Sequence, residues 1–248
     1  MLWKHEVEGL QNLPISRKIA MTIFLCVTAV GYVFGFFNIL LSYAANDGES
    51  GISLKDITIA FYGAREKTAL ETSIDSSMRV YFSSEADYNT VKSWLSDGAK
   101  EAEFETIKPI FDQSCNSCHA SEVRVADVAL ETYEDTEPWL AQDTGKSIPR
   151  LVAISHTHIL AIVVVVFILV SILCATTYPQ ALKVTLCAWS YFTIVLDVGG
   201  WWLAKLSPSF SFMVILGGAS MGTAWALLIA LPLYELWFKK SPETADAE

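Results

Sequence analysis

Long stretches of the chain are nearly empty of charge. No charged residue lies between Lys18 and Asp47, between Arg150 and Lys183, or between Lys205 and Glu235, and only Asp197 falls between Lys183 and Lys205. Each stretch holds the ~20 apolar residues a helix needs to cross a bilayer. Apolar segments of this length must satisfy their own backbone hydrogen bonds in lipid, so they read as helices. The pattern predicts transmembrane helices over 19–44, 151–178, 184–204 and 210–238. That leaves an N-terminal segment 1–18, a polar segment 45–150 between the first two spans, and a tail 239–248.

The polar segment is patterned for helices. Gly51 to Tyr62 mixes extended and turn signals and predicts a strand or irregular entry. Glu66 to Tyr81 reads as one helix, with Leu70, Ile74 and Met78 four residues apart on one face. Ser84 with Asp87 resembles a capping box opening a helix through Trp94 and Leu95, which Gly98 ends. A further helix over Ala102 to Gln113 lines up Phe104, Ile107 and Phe111, with Pro109 expected to break or kink it. The expected fold is therefore mainly α: four transmembrane helices with a small helical domain inserted between the first and second.

Charge refines this picture. The formal net charge is −10, and 30 of the 44 charged residues lie between Ala45 and Arg150, twenty acids against ten bases. The acidity thus belongs to the inserted segment. It suits a basic soluble partner or simple solubility, and nothing in it favours nucleic acid. Lys4, Arg17, Lys18, Lys183, Lys239 and Lys240 fall on one side of the spans, and only Lys205 sits in the short loop on the other. The positive-inside rule places both termini in the cytoplasm and the acidic domain outside. The first apolar run is longer than the core of a cleavable signal, so it reads as a retained anchor. The polar tail Ser241 to Glu248 is expected to be disordered.

The chemistry lies in the inserted segment, at Cys115-Asn116-Ser117-Cys118-His119. This is the C-x-x-C-H pattern of covalent haem attachment. Two thiols three positions apart can each add to a vinyl group of one porphyrin, and the next residue offers an imidazole as proximal ligand. A zinc site would want further Cys or His nearby. The other cysteines, Cys26, Cys174 and Cys187, fall in the spans and read as small apolar residues. A disulfide oxidoreductase would want a βαβ pattern around the motif, which is absent. The topology is consistent, since haem c is attached on the outer side of the bacterial inner membrane.

Lys108 to His119 (KPIFDQSCNSCH), followed by Val128 to Trp139 (VALETYEDTEPW), resembles the cytochrome c family. The resemblance covers about fifty residues. It implies one covalent haem c, electron transfer, and His119 as the proximal ligand to the haem iron. The chain departs from that family at the distal ligand, which is usually a Met well after the motif. From Ala120 to Ser155 there is neither Met nor His, and Met78 is the one Met of the inserted segment. The candidates for the iron's other face are Met78, a membrane histidine such as His158, or nothing.

Within the spans, His156 and His158 lie in the outer part of the second, and Asp197 in the third. Ionisable groups inside a membrane tend to face a partner or a cavity. His158 and Asp197 are each eight residues from the outer charges Arg150 and Lys205, about 12 Å along a helix. A His158–Asp197 pair would serve as a proton or metal site, and the alternative is a hydrated histidine and a structural hydrogen bond. His156 projects about 200° away from His158. Gly218 and Gly222 form G-x-x-x-G, suited to close packing or an oligomer contact. Trp201, Trp202 and Trp237 lie near the membrane ends. Asn38 and Glu235 read as helix–helix hydrogen-bond groups or interface residues.

The first functional expectation is a membrane-bound c-type cytochrome that passes electrons to a redox partner protein or membrane complex, rather than a stand-alone enzyme. A haem-based sensor, or a subunit of a redox enzyme using His158 and Asp197, is the alternative.

Overall fold

The computed structural model describes residues 9–123 and 128–239. Lys4, Lys240 and the tail Ser241 to Glu248 lie outside the described residues. The described chain is mainly helical and contains no strand, only an isolated bridge between Thr68 and Gln142. Four helices are long and apolar enough to cross a membrane: α1 (Ile15–Tyr43), α8 (Ile148–Cys174), α9 (Gln180–Leu206) and α10 (Ser211–Trp237). The chain divides into two compact units, one built on these helices and one spanning Leu40–Ser147 with Lys205–Pro208.

In the membrane unit α8, α9 and α10 share a core of Val166, Leu169, Leu173, Leu186, Ile194, Trp225 and Leu228. From α1 only Leu25 is buried, and Val27, Val30, Phe34 and Leu41 are exposed along its length. Glycines on α10 set the close approaches. A Cβ on Gly217 would stand 2.6 Å from the Cα of Asp197, and one on Gly222 would stand 2.6 Å from the Tyr32 hydroxyl. Of the G-x-x-x-G pair, Gly222 thus receives the Tyr32 phenol inside the chain, while a Cβ on Gly218 would meet only Asp197 Oδ1, at 3.9 Å; the close helix contact belongs to Gly217, outside the motif. Asn38 is exposed near the end of α1.

Glu235 is fully buried at the other end of α10 and organises it. Its carboxylate accepts from the Leu10 amide (3.0 Å), the Thr177 amide (2.8 Å) and the Thr177 hydroxyl (2.8 Å), with Lys239 Nζ at 3.4 Å. It therefore ties a 3₁₀ turn at Leu10–Asn12 and the α8–α9 turn to one point. Lys18 donates to the Leu236 carbonyl at 3.1 Å, and Trp237 donates to Thr22 at 2.9 Å, fastening α1 to the end of α10.

The second unit holds α2 (Leu54–Phe61), α3 (Ala69–Ile74), α4 (Glu85–Ser96), α5 (Glu101–Ser114), α6 (Asn116–His119) and α7 (Tyr133–Thr136). The strand or irregular entry expected over Gly51 to Tyr62 is instead α2. Ser53 and Asp56 cap it reciprocally, and buried Asp56 also takes the Asp47 amide at 2.8 Å. The helix expected from Glu66 to Tyr81 is interrupted. Thr68 caps α3, which ends at Ile74, and a 3₁₀ turn follows at Arg79–Tyr81. Ser84 caps α4 as expected, although the Asp87 carboxylate bonds the Ser84 hydroxyl at 2.7 Å. Pro109 lies inside α5, which continues through it to Ser114.

Asp143 closes this unit by accepting from the Ala64 amide at 2.9 Å and the Gly145 amide at 2.8 Å. Gly63 and Gly145 both adopt positive φ there, and a Cβ on either would strike the backbone of the other's strand of chain within 2.9 Å. Asp75 is the polar counterpart. Burial alone would raise its pKa, but hydrogen bonds from Lys67 (2.6 Å), Tyr88 (2.6 Å) and Lys92 (2.9 Å) outweigh it and hold the carboxyl at about 2.

Two outcomes follow for the full chain in detergent. Gly217→Ala meets α9 backbone and costs about 1–3 kcal/mol in thermal unfolding, whereas Gly222→Ala meets only the far end of Tyr32 and costs less. Equal costs would contradict this account of α9–α10 packing. Because Asp75 is depressed from 3.8 to about 2, its contribution is complete above 3.8 and is lost as pH falls toward 2. Asp75→Asn should lower the melting temperature at neutral pH and reduce the acid-induced loss across that window, as followed by circular dichroism.

Candidate haem-attachment and intramembrane sites

The C-x-x-C-H turn is delivered by α5. Phe104, Ile107 and Phe111 bury one face of that helix among Trp94, Val91, Leu70 and Ile74. The aromatic rings meet edge to face, with Trp94–Phe111 centroids at 6.3 Å and Phe104–Tyr133 at 5.8 Å. This face ends at Cys115, which packs against the cluster together with Val128 and Tyr133. The chain then turns again, because the Cys118 and His119 amides both donate to the Cys115 carbonyl, at 3.1 and 3.0 Å. Both cysteines and His119 are half-buried.

His119 is oriented by the chain that follows it. Its Nδ1 lies 2.9 Å from the Val128 carbonyl, and the Leu130 amide returns a bond to the His119 carbonyl at 3.1 Å. A carbonyl only accepts, so in the neutral ring Nδ1 carries the proton and Nε2 keeps its lone pair. An Nδ1–H held by a backbone carbonyl is how metal-bound histidines are commonly fixed in orientation and made more basic.

The surroundings of Cys115 do not favour a thiolate. Burial pushes the Cys115 thiol up to about 11. Reactive and metal-binding cysteines are used as thiolates, and their sites lower that value. A thioether carries no charge, so apolar burial does not oppose it. Among the described residues no group of three or more His, Cys, Asp or Glu is placed to hold a metal ion. The residues present therefore suit a group attached through sulfur with one histidine ligand. In the same turn Asn116 donates its amide to Asp112 at 2.8 Å, while its Oδ1 is buried without a partner.

The distal candidates are placed differently from one another. Met78 is not a core residue of α3. It lies beyond the end of that helix, at the start of the 3₁₀ turn, and is 36% exposed. Four residues later Phe82 packs on the aromatic cluster, and the Ser83 amide bonds the Ser114 hydroxyl at 3.3 Å, beside Cys115. His158 belongs to the membrane unit.

In that unit His158 and Asp197 do not pair; both meet Trp201. The His158 and Trp201 rings stand edge to face, 5.2 Å apart at 83°. Asp197, 6% exposed, accepts a hydrogen bond from Trp201 one helical turn away. Trp201 is itself 8% exposed, so it is a packed ring rather than part of an interfacial belt. Trp202 reaches the Ser155 hydroxyl at 3.0 Å, joining α9 to α8. His156 is exposed and shares no hydrogen bond with the other three. The spacing of His158 and Asp197 from the outer charges placed them level, but nothing in the pattern announced the indole between them.

Residues 142–243 match the family model Aq_1264_TM, described as a transmembrane helical domain. The match takes in α8, α9 and α10. No curated protein matches the chain, and no solved structure does. The chain is a multi-pass membrane protein.

Proposed function

We propose that the chain is a membrane-bound c-type cytochrome, with one haem joined by thioethers to Cys115 and Cys118 and ligated by His119. The observation that carries this reading is the 2.9 Å bond between His119 Nδ1 and the Val128 carbonyl, within the same turn as the two thiols. It fixes the tautomer and the direction that a proximal ligand needs. The haem, when bound, supplies a one-electron couple. The protein's part is to present two sulfurs on one turn, to hold the imidazole, and to shield one side with the aromatic cluster around Phe104 and Phe111. Met78, outside the core and exposed, is the distal candidate of this unit.

The positive-inside balance supports cytoplasmic termini and a periplasmic haem domain in a bacterial inner membrane. The acidic surface of that domain suits a basic redox partner. The role is electron transfer, alone or as a subunit.

The test uses the full chain expressed in a host that makes haem c. Covalent haem, read by peroxidase stain after denaturing electrophoresis, is expected in the parent and lost in Cys115→Ala and Cys118→Ala at unchanged protein level. Full stain in both variants contradicts the proposal. If Met78 is the distal ligand, Met78→Ala changes the reduced optical spectrum and opens the iron to carbon monoxide. An unaltered spectrum removes Met78 from that role.

A further inference from the structure

We infer that Asp197, with Tyr32 and Trp225 beside it, is a proton-binding site inside the membrane unit. Asp197 carries an exchangeable proton there at neutral pH and shares it with the Tyr32 hydroxyl. The inference stands whether or not the chain carries haem.

Asp197 lies on α9, eight residues from Lys205, about 12 Å along the helix and so within the apolar span. It is 6% exposed. α10 presses on it: a Cβ on Gly217 would stand 2.6 Å from its Cα, and one on Gly218 would stand 3.9 Å from its Oδ1. Neither glycine titrates. Trp201, on its own helix, donates a hydrogen bond to it. Tyr32, from α1, is close enough for the two groups to act on each other electrostatically. His158, from α8, meets Trp201 rather than Asp197. Among the described residues no Lys, Arg or His pairs with Asp197, and no group of three or more His, Cys, Asp or Glu is placed to hold a metal ion. A carboxylate left alone in hydrocarbon is among the costliest groups to bury. A proton removes that charge and needs no cavity.

A neutral carboxyl has an acceptor and a hydroxyl donor to place. Trp201 serves the acceptor. The donor has the Tyr32 phenol near it. Gly222 follows Gly218 by one turn, so their Cβ positions lie about 5–6 Å apart, and a Cβ on Gly222 would stand 2.6 Å from Tyr32 Oη. The two glycines thus leave a strip of α10 to two acidic oxygens. Three residues on, Trp225 is 8% exposed and meets the Tyr32 ring with centroids 5.3 Å apart. Its Nε1 is buried and has no hydrogen-bond partner among the described residues. Trp189 and Trp202, in contrast, both donate to serines. An unused N–H beside the phenol favours the charge that remains when the proton leaves. A purely structural bond to Trp201 would be made as well by Asn, without an ionisable group in the membrane.

The test is infrared difference spectroscopy on the full chain in dodecyl maltoside, a detergent without ester carbonyls. Labelling with ¹³C-aspartate separates aspartic from glutamic acid bands, that of Glu235 included. The parent is expected to show a label-sensitive protonated-carboxyl band at neutral pH that moves in heavy water and is lost in alkali. Asp197→Asn loses the band at unchanged helix content by circular dichroism. Tyr32→Phe keeps the band and moves its frequency, and Trp225→Phe shifts its loss to higher pH. No aspartic band in the parent overturns the proposal, and this needs no variant. A band kept by Asp197→Asn, indifferent to heavy water or alkali, unmoved by Tyr32→Phe, or titrating unchanged in Trp225→Phe overturns it too. So does loss of the band on adding sodium chloride at fixed pH, which would make this a cation site. The label is on aspartate, so failure of the haem reading registers separately, in the peroxidase stain.

Discussion

A polar group in the four long helices has no water to fall back on, and most of the membrane unit can be read as the answer to that constraint. Hydroxyls turn back to their own helix, as Thr22 does to the Lys18 carbonyl, Ser171 to Phe167 and Ser190 to Leu186. Indoles find hydroxyls across helices, Trp189 on Ser220 at 2.8 Å and Trp202 on Ser155 at 3.0 Å. The buried carboxylate of Glu235 collects amides from two separate turns. Each such bond fixes a rotation of one helix against another. With little hydrophobic drive between helices in lipid, these bonds and the glycine contacts at Gly217 and Gly222 decide the packing.

The second unit solves a different problem with ordinary means. Its helices are short, four of them are capped by Ser53, Thr68, Ser84 and Thr132, and Asp143 ties the chain at Ala64 to the turn at Gly145. The aromatic cluster does two things at once. It supplies the buried area that stabilises a small domain, and it ends on Cys115, so the motif begins at the edge of the core. The imidazole of His119 is held by the Val128 carbonyl on the same turn as the two sulfurs, which is the arrangement the proposed haem attachment uses.

The first, second and fourth spans were legible because charge is excluded from them over twenty or more residues, and the third because Asp197 is the one charge between Lys183 and Lys205, a signal that needs no tertiary information. Their ends move by only a few residues from the expected ones. The motif was legible as spacing. The soluble helices were less so. Gly51 to Tyr62 hides its helix because the start is set by Ser53 and Asp56 acting reciprocally, inside a stretch rich in turn residues. Glu66 to Tyr81 keeps an apolar period beyond Ile74, yet the chain leaves the helix there: Asp75 turns to Lys67, Tyr88 and Lys92, contacts made across the fold. The Trp201 bridge between His158 and Asp197, and the Val128 carbonyl on His119, are long-range or rotameric facts with no sequence period.

The most direct measurement of the haem reading is mass spectrometry of the proteolytic peptide that spans Cys115 to His119, from protein purified out of membranes. A peptide heavier by one haem, resistant to reduction and acid acetone, is the expected result. The same peptide with two free thiols, or with a disulfide between Cys115 and Cys118, would contradict it.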